Sequence, residues 1–597
     1  MFRVWAPEAA EVELVLGDGA TGSHDRREPM ARSDGGWWSS GVDATHGTRY
    51  GYSLDGGPVR PDPRSRRQPD GVHGRSEVVD LDRLRAEPAG PRWRGLPLAG
   101  SVLYELHVGT FTAEGTFDAA IERLGHLVDL GIDAVELMPV AAFPGRHGWG
   151  YDGVDLFAVH EPYGGPAGLL RFVDACHQLG LGVVLDVVHN HLGPSGNYLS
   201  EFGPYFSERH QTNWGAAVNL DGPGSDEVRR FVIDNALMWL GDYGIDGLRL
   251  DAVHALVDDS AVHLLEQLSD EVEWLATRQG RPLFLIAESD LNDPRFVRSR
   301  SAGGFGLDAS WADEWHHALH AVLTGERDGY YEDFGTMDDL RTALQQAWVY
   351  AGRYSPHRGR IHGRSPAGLA GHQFVISTQN HDQIGNRAAG DRLGSQVGGG
   401  RLRVAAALLL TSPFTPMLFQ GEEWGATTPF RYFTDHDDAE LARAVSEGRR
   451  NEFRSFGWSP ADVPDPQDPA TRDRSVLDWA ELDAEPHAAL RDWYRDLLRL
   501  RRQEPDLGDG RWANATCTVG PDPAASNGWL LYRRGEVAVA ANVSERCESI
   551  DLGDGAQVEL LLASCPQVQL RAGTVTLPPD SVAILRTDPH PHTQEPT

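Results

Sequence analysis

Between about residues 100 and 510, short apolar runs alternate with longer stretches whose apolar residues recur at helical spacing. The runs are 102–108, 132–138, 181–188, 245–251, 283–288, 305–309, 374–379 and 416–420, each short enough for a strand buried on both faces. Between them lie helical faces such as Phe117, Ala120, Ile121, Leu124, Leu127 and Val128, or Val228, Phe231, Val232, Trp239 and Leu240. A last helix carries Leu490, Trp493, Tyr494, Leu497 and Leu498. Eight buried strands interleaved with helices predict an α/β fold, a (β/α)8 TIM barrel over residues 91–510.

The pattern changes on either side. Residues 2–16 alternate apolar and polar positions, broken by Pro7, and Trp37-Trp38 and Tyr50-Gly51-Tyr52 continue an all-β character. Residues 1–90 are therefore read as an N-terminal β-sandwich resembling a carbohydrate-binding module, and the proline- and arginine-rich stretch 58–98 as a linker along the surface. The tryptophans suit a core better than a sugar platform. Residues 511–587 turn all-β again and predict a C-terminal β-sandwich, followed by a disordered tail, 588–597. Three connections, 139–180, 192–224 and 321–372, are longer than a compact barrel needs, which marks them as functional loops.

Composition narrows the function. A net charge of −33 argues against nucleic acid and anionic membranes as partners. The chain contains no lysine, so Schiff-base chemistry and a lysine-bearing phosphate loop are excluded. The four cysteines fit no zinc spacing and are read as small buried thiols. With no signal peptide and no membrane-length apolar run, the expected location is cytoplasmic. No cofactor is called for, and the oligomeric state is open.

The chemistry gathers at strand ends. The run 245–250 closes on Asp251, with Arg249 two residues before it and His254 three after. Strand residues alternate faces, so Arg249 and Asp251 point the same way, and a guanidinium there keeps a carboxylate nucleophile ionised. Glu288 closes the fifth run, and Asp382 follows the seventh through Asn380-His381. One such acid is as readily a salt-bridge partner as a catalyst. Three, on the face where barrel active sites lie, point to glycoside chemistry with one carboxylate attacking and another protonating.

Four blocks then resemble the α-amylase superfamily of glycoside hydrolases: Asp186-Val187-Val188-His189-Asn190-His191, Gly247 to His254, Ile286-Ala287-Glu288 and Asn380-His381-Asp382. The resemblance implies that Asp251 is the nucleophile, Glu288 the general acid/base and Asp382 the third acid, gripping sugar hydroxyls. It implies that His191, Arg249, His254 and His381 line the subsite of the cleaved sugar, with Tyr151 stacked beneath. Residues 2–7, 68–74 and 102–109 look like branching enzymes and their relatives. The runs 202–206 and 214–219, with Asn380 to Arg387, look like the maltooligosyltrehalose trehalohydrolase family. That narrower likeness implies a maltooligosyltrehalose or related α-glucan substrate. It extends the substrate contacts to Asp313, His316, His317, Gln383 and Asn386. His189 stands where that superfamily more often has tyrosine, and Asp313-Glu314 departs from its commoner Asn-Asp-Asp-Phe.

Three other readings stay open. A branching or debranching enzyme would share the acids. A metal-dependent hydrolase would use His189 and His191, although no further cluster completes such a site and the expectation is no metal. A non-enzymatic glycan-binding protein would have no need of all three acids.

Overall fold

The computed structural model describes residues 2–17, 25–85, 92–454, 463–512, 515–553, 557–571 and 573–587. The predicted tail, 588–597, lies outside them.

Eight parallel strands close into a barrel: β1 (Leu103–Leu106), β2 (Ala134–Leu137), β3 (Gly182–Val187), β4 (Gly247–Leu250), β5 (Phe284–Ala287), β6 (Ala309–Trp311), β7 (Phe374–Ser377) and β8 (Thr415–Phe419). Every residue of these strands is buried, because the barrel interior takes one face and the surrounding helices the other. Inward-facing residues include Glu105 and Glu136, level with each other on β1 and β2, and Asp186 level with Arg249 on β3 and β4. Charge inside a barrel must be paired or neutralised: Glu105 pairs with His381 and Asp186 with Arg249, while burial holds the Glu136 carboxyl well above the ordinary carboxylate range.

One predicted strand is displaced. The sixth was expected at 305–309, but β6 begins where that run ends. Gly306 takes φ +77°, and the amides of Phe305, Gly306 and Leu307 bond to the carbonyls of Arg295, Arg298 and Phe296. These residues fold back on the preceding loop. Pairing with β5 starts only at Ala309, opposite Ile286.

Before the barrel, Phe2–Trp5, Trp37–Ser40 and Ala31–Arg32 form one antiparallel sheet, and Val12–Leu16, Arg26–Pro29, Arg49–Leu54 and Val59–Arg60 a second. Ser76–Glu77 also pairs with Arg49–Leu54, so part of the stretch read as a linker is built into this sheet. Trp38 is buried and donates to Ala6 O at 2.9 Å. Trp37 donates to Glu227 Oε1 at 3.0 Å on a barrel helix, so both rings pack rather than stand open. After the barrel, a five-stranded and a three-stranded sheet span Ala515–Thr587, and the helix His487–Gln503 buries the five apolar residues its spacing selected. The cysteines are free thiols: Cys176 and Cys517 are buried as expected, but Cys547 is exposed and Cys565 half-buried. Among the described residues, no helix is long and apolar enough to cross a membrane.

The long connections rise around the carboxyl ends of the strands. The one after β2 holds the hairpin Ala141–Ala142/Asp155–Val159 and the helix Gly165–Gln178. The one after β3 holds the hairpin Phe206–Thr212/Gly215–Val218. The one after β6 carries the helices Asp313–Thr324 and Met337–Gln346 and the hairpin Arg353–Ser355/Arg360–His362.

Candidate active site

Arg249 is the centre of the site. Its side chain is fully buried, so its charge demands partners. Nη1 donates to Asp186 Oδ2 and to Asp251 Oδ1, each at 2.8 Å, and Nη2 lies 3.9 Å from Glu288 Oε2. The guanidinium carbon sits 4.4 Å from the centre of the Trp311 ring. One cation thus gathers carboxylates from the ends of β3, β4 and β5.

Asp251 extends β4, its amide bonded to Val187 O at 3.1 Å. Its second oxygen accepts from Asn190 Nδ2 at 2.8 Å, so both oxygens are held by donors. The next residue, Ala252, takes φ +39°, a left-handed conformation that costs a non-glycine residue of order 1 kcal/mol or more. This turn aims the Ala252 amide at Glu288 Oε2, 2.5 Å away, while Val253 N bonds to Glu288 O at 3.0 Å. Nucleophile candidate and acid candidate are therefore tied to each other through two residues of backbone as well as through Arg249.

Burial raises the Glu288 carboxyl to about 8; Arg249 opposes this, and the charges of Asp251, Asp313 and Asp382 add to it. At neutral pH this group carries a proton. Asp313, at the start of its helix, is pushed to about 7 by burial and by the charges of Asp382 and Asp290. Asp382 is about half exposed, lies 3.6 Å from His381 Nε2 and accepts from Asn386 Nδ2 at 3.2 Å.

A second chain of contacts reaches the rim from below. Glu105 Oε1 holds His381 Nδ1 at 2.5 Å, and Glu105 Oε2 accepts from the His381 amide at 3.0 Å. Burial alone would lower the His381 imidazole. The Glu105 and Asp382 charges outweigh it and bring it to about 9. The ring stacks on Tyr151 with centroids 5.3 Å apart. His381 Nε2 donates to the Tyr151 hydroxyl at 2.8 Å, which donates in turn to Asp186 Oδ2 at 2.6 Å. Glu105, His381, Tyr151, Asp186, Arg249 and Asp251 thus form one continuous line of charge and hydrogen bonds. Burial raises Asp186 to about 6, against the pull of Arg249.

The remaining expected residues take different places. His191 Nε2 donates to Tyr151 O at 3.0 Å, while the other ring nitrogen touches Asn190 and the ring lies flat against Trp214. His254 is exposed at the rim in the turn Val253–Ala255. His316 is buried and spends both nitrogens on protein, at Thr378 O (2.6 Å) and the Tyr331 hydroxyl (2.8 Å). Its neighbour His317 stacks on Tyr330 with centroids 4.6 Å apart, and burial lowers it to about 3. Gln383 donates its backbone N–H at 2.9 Å to Asn380 Oδ1, the side chain that caps the short helix His381–Gly385. Its Oε1 is buried with no hydrogen-bond partner among the described residues. Asn386 joins Asp382 to the chain beyond, its Oδ1 accepting from Arg449 at 3.2 Å.

Sequence reasoning did not select Asp186, Asn190 or Glu105 as site residues. The first two stood in plain view at the end of the third apolar run. Glu105 carried the signal of a lone acid inside a buried strand. The histidine pair that suggested a metal is otherwise engaged: His189 Nε2 meets Asn235 Oδ1 at 2.8 Å. Among the described residues one trio, His210, Asp221 and Asp259, has ligand atoms within 4.8 Å of one another, outside this constellation.

The α-amylase catalytic-domain family matches residues 72–215, and carbohydrate-binding module 48, the isoamylase N-terminal domain, matches residues 1–64. The malto-oligosyltrehalose trehalohydrolase of Rhizobium sp. (strain M-11) is 52% identical over 98% of this chain and 97% of its own. That of Arthrobacter ramosus is 57% identical over 90% and 96%. The crystal structure of a Salmonella typhimurium protein superposes with TM-score 0.86 at 38% identity, covering 98% of this chain and 97% of that one. Pullulanase from Anoxybacillus sp. LM18-11, at 18% identity and TM-score 0.72, shares the fold. With catalytic-rim geometry and near-full-length identity pointing the same way, this chain belongs to the malto-oligosyltrehalose trehalohydrolase family, glycosidases with an α-amylase catalytic domain.

Proposed function

We propose that this protein hydrolyses the α-1,4-glucosidic bond next to the terminal trehalose of maltooligosyltrehalose, with retention, releasing trehalose and a shortened maltooligosaccharide. Asp251 attacks the anomeric carbon. The bond to the trehalose oxygen breaks, and Glu288 gives its proton to that oxygen. The glucosyl ester on Asp251 is then opened by water, whose proton returns to Glu288. Asp382 and Asp186 favour the positive charge that develops on the sugar ring. His381, as an imidazolium, holds the Tyr151 hydroxyl and faces Asp382, and Tyr151 stacks beneath the sugar. Asp313 adjusts Glu288 through its charge.

The observation that carries this reading is the Arg249 fork, which touches Asp251 at 2.8 Å and approaches Glu288 at 3.9 Å. It places an ion-paired carboxylate beside a carboxyl that burial and its neighbours hold protonated. Such a pair has an acid and a nucleophile ready at the same pH. The choice of trehalose over maltose as leaving group is supported by the full-length likeness to the trehalohydrolases. The unpaired thiols of Cys547 and Cys565 suit a reducing compartment, so we place the enzyme in the cytoplasm.

Incubation with maltooligosyltrehalose and, separately, with plain maltooligosaccharide tests the assignment. Free trehalose from the first, with slow attack on the second, supports it. New α-1,6 branches from either substrate would assign the site to a branching transferase instead.

A further inference from the structure

The helix Leu264–Gln279 buries Leu264, Leu265, Leu268 and Val272 along one stripe. Trp274 falls off that stripe and leaves 73% of its surface open to solvent. Asp270, Trp274 and Arg278 follow at four-residue spacing, so an acid, an indole and a guanidinium stand in a row on one helical face. Arg278 is exposed and has no hydrogen-bond or ion-pair partner among the described residues.

The row forms one wall of an open groove of about 810 Å³. The neighbouring helix, Ser225–Gly241, and its C-cap supply the opposite wall. The third wall is Arg64 and Arg66, from the end of the N-terminal module. Arg64 pairs with Asp234 at 2.7 Å and Arg66 with Asp242 at 2.6 Å. These pairs tie the walls together, and Arg230 takes the second Asp234 oxygen at 2.6 Å.

We infer that this groove is a second glucan-binding site, separate from the catalytic rim, with Trp274 as the stacking platform. The inference rests on the reading of the protein as a glucan-active enzyme. The groove's size falls within the ~300–1,000 Å³ of ordinary ligand clefts. Each of its four carboxylates is already paired with an arginine, Asp234 with Arg64, Asp242 with Arg66, Glu271 with Arg230 and Asp270 with Arg300, so the lining is close to charge-balanced and suits a neutral ligand. A neutral polyhydroxylated chain can donate to the acids and accept from the arginines at once. It also presents the apolar C–H face that an exposed indole recognises. The groove is built jointly by the module-matched segment and barrel helices. Anchoring long substrates this way raises their local concentration at the active site.

The test is calorimetric titration of maltoheptaose into Asp251→Asn, which keeps the groove and stops turnover. The same titration is repeated with Trp274→Ala, and with Trp274→Phe added in its place. Two binding events are expected in Asp251→Asn. The alanine variant should lose one of them, weakened about tenfold or more, and the phenylalanine variant should recover it in part. In the active chain, Trp274→Ala should raise KM for long substrates and leave kcat on the shortest unchanged. Identical isotherms with tryptophan and alanine, while the active chain still releases trehalose, overturn the second site alone. Absence of any maltoheptaose binding overturns the glucan reading along with it.

Discussion

Replacing Glu105 by glutamine removes one charge from the floor of the site and keeps the shape. Glu105 and His381 are each only 1% exposed, so solvent screens their attraction very little. The His381 imidazole stands at about 9 against its ordinary 6.5, a gap worth about 3 kcal/mol of folding stability. The group's folded value is raised, so that stability is fully present below about pH 6.5 and is lost as pH rises through about 9. Glu105→Gln leaves a buried imidazole without its counter-charge. The ring then sheds its proton, and the variant is less stable than the parent by about 3 kcal/mol near pH 6, with the difference shrinking toward pH 9. Urea unfolding followed by tryptophan fluorescence at several pH values in this window reads the difference directly. A gap that stays constant with pH, or no gap at all, refutes the buried imidazolium. Activity should fall with it, since His381 donates to the Tyr151 hydroxyl at 2.8 Å and faces Asp382 at 3.6 Å.

Three further outcomes are expected from the same geometry. Activity of the parent should decline above about pH 8 as Glu288 loses its proton, and Glu288→Gln should cost about 100- to 10,000-fold in kcat and erase that alkaline limb in a pH–rate profile. Asn190→Ala removes the 2.8 Å bond to Asp251 Oδ2 and should lower kcat by about tenfold or more with little change in KM; the opposite split in steady-state kinetics would show Asn190 acting in substrate binding. Gly385→Ala puts a methyl group into the ring of Trp149, which stacks on Phe430 at 5.1 Å, and should lower the unfolding midpoint by an amount matching about 1–3 kcal/mol.

The barrel was legible because buried parallel strands read as continuous apolar runs, and every strand but the sixth lies inside its predicted span or one residue outside it. The sixth slipped because a loop turn buries Leu307 and half-buries Phe305, and periodicity does not distinguish such a turn from a buried strand. Asp251, Glu288 and Asp382 stood out as candidates because each ends or follows such a run. Glu105 was not, because its partner, His381, lies 276 residues away. The same holds for the Asp186–Tyr151–His381 bridge, which exists only once the barrel has closed. His316 shows the converse: a motif selects the residue, while the fold turns both its nitrogens inward. The groove beside Trp274 was also hidden, since its walls come from three separate segments.

In the proposed mechanism Asp251 forms a covalent glucosyl ester while Glu288 protonates the leaving oxygen. The direct measurement is intact-protein and peptide mass spectrometry of Glu288→Gln after incubation with an α-glucosyl fluoride, a substrate whose leaving group needs no proton. The account predicts a single added glucosyl unit, mapped to the peptide carrying Asp251 and absent from Asp251→Asn/Glu288→Gln. A glucosyl unit on another residue, or the same adduct without Asp251, would contradict it.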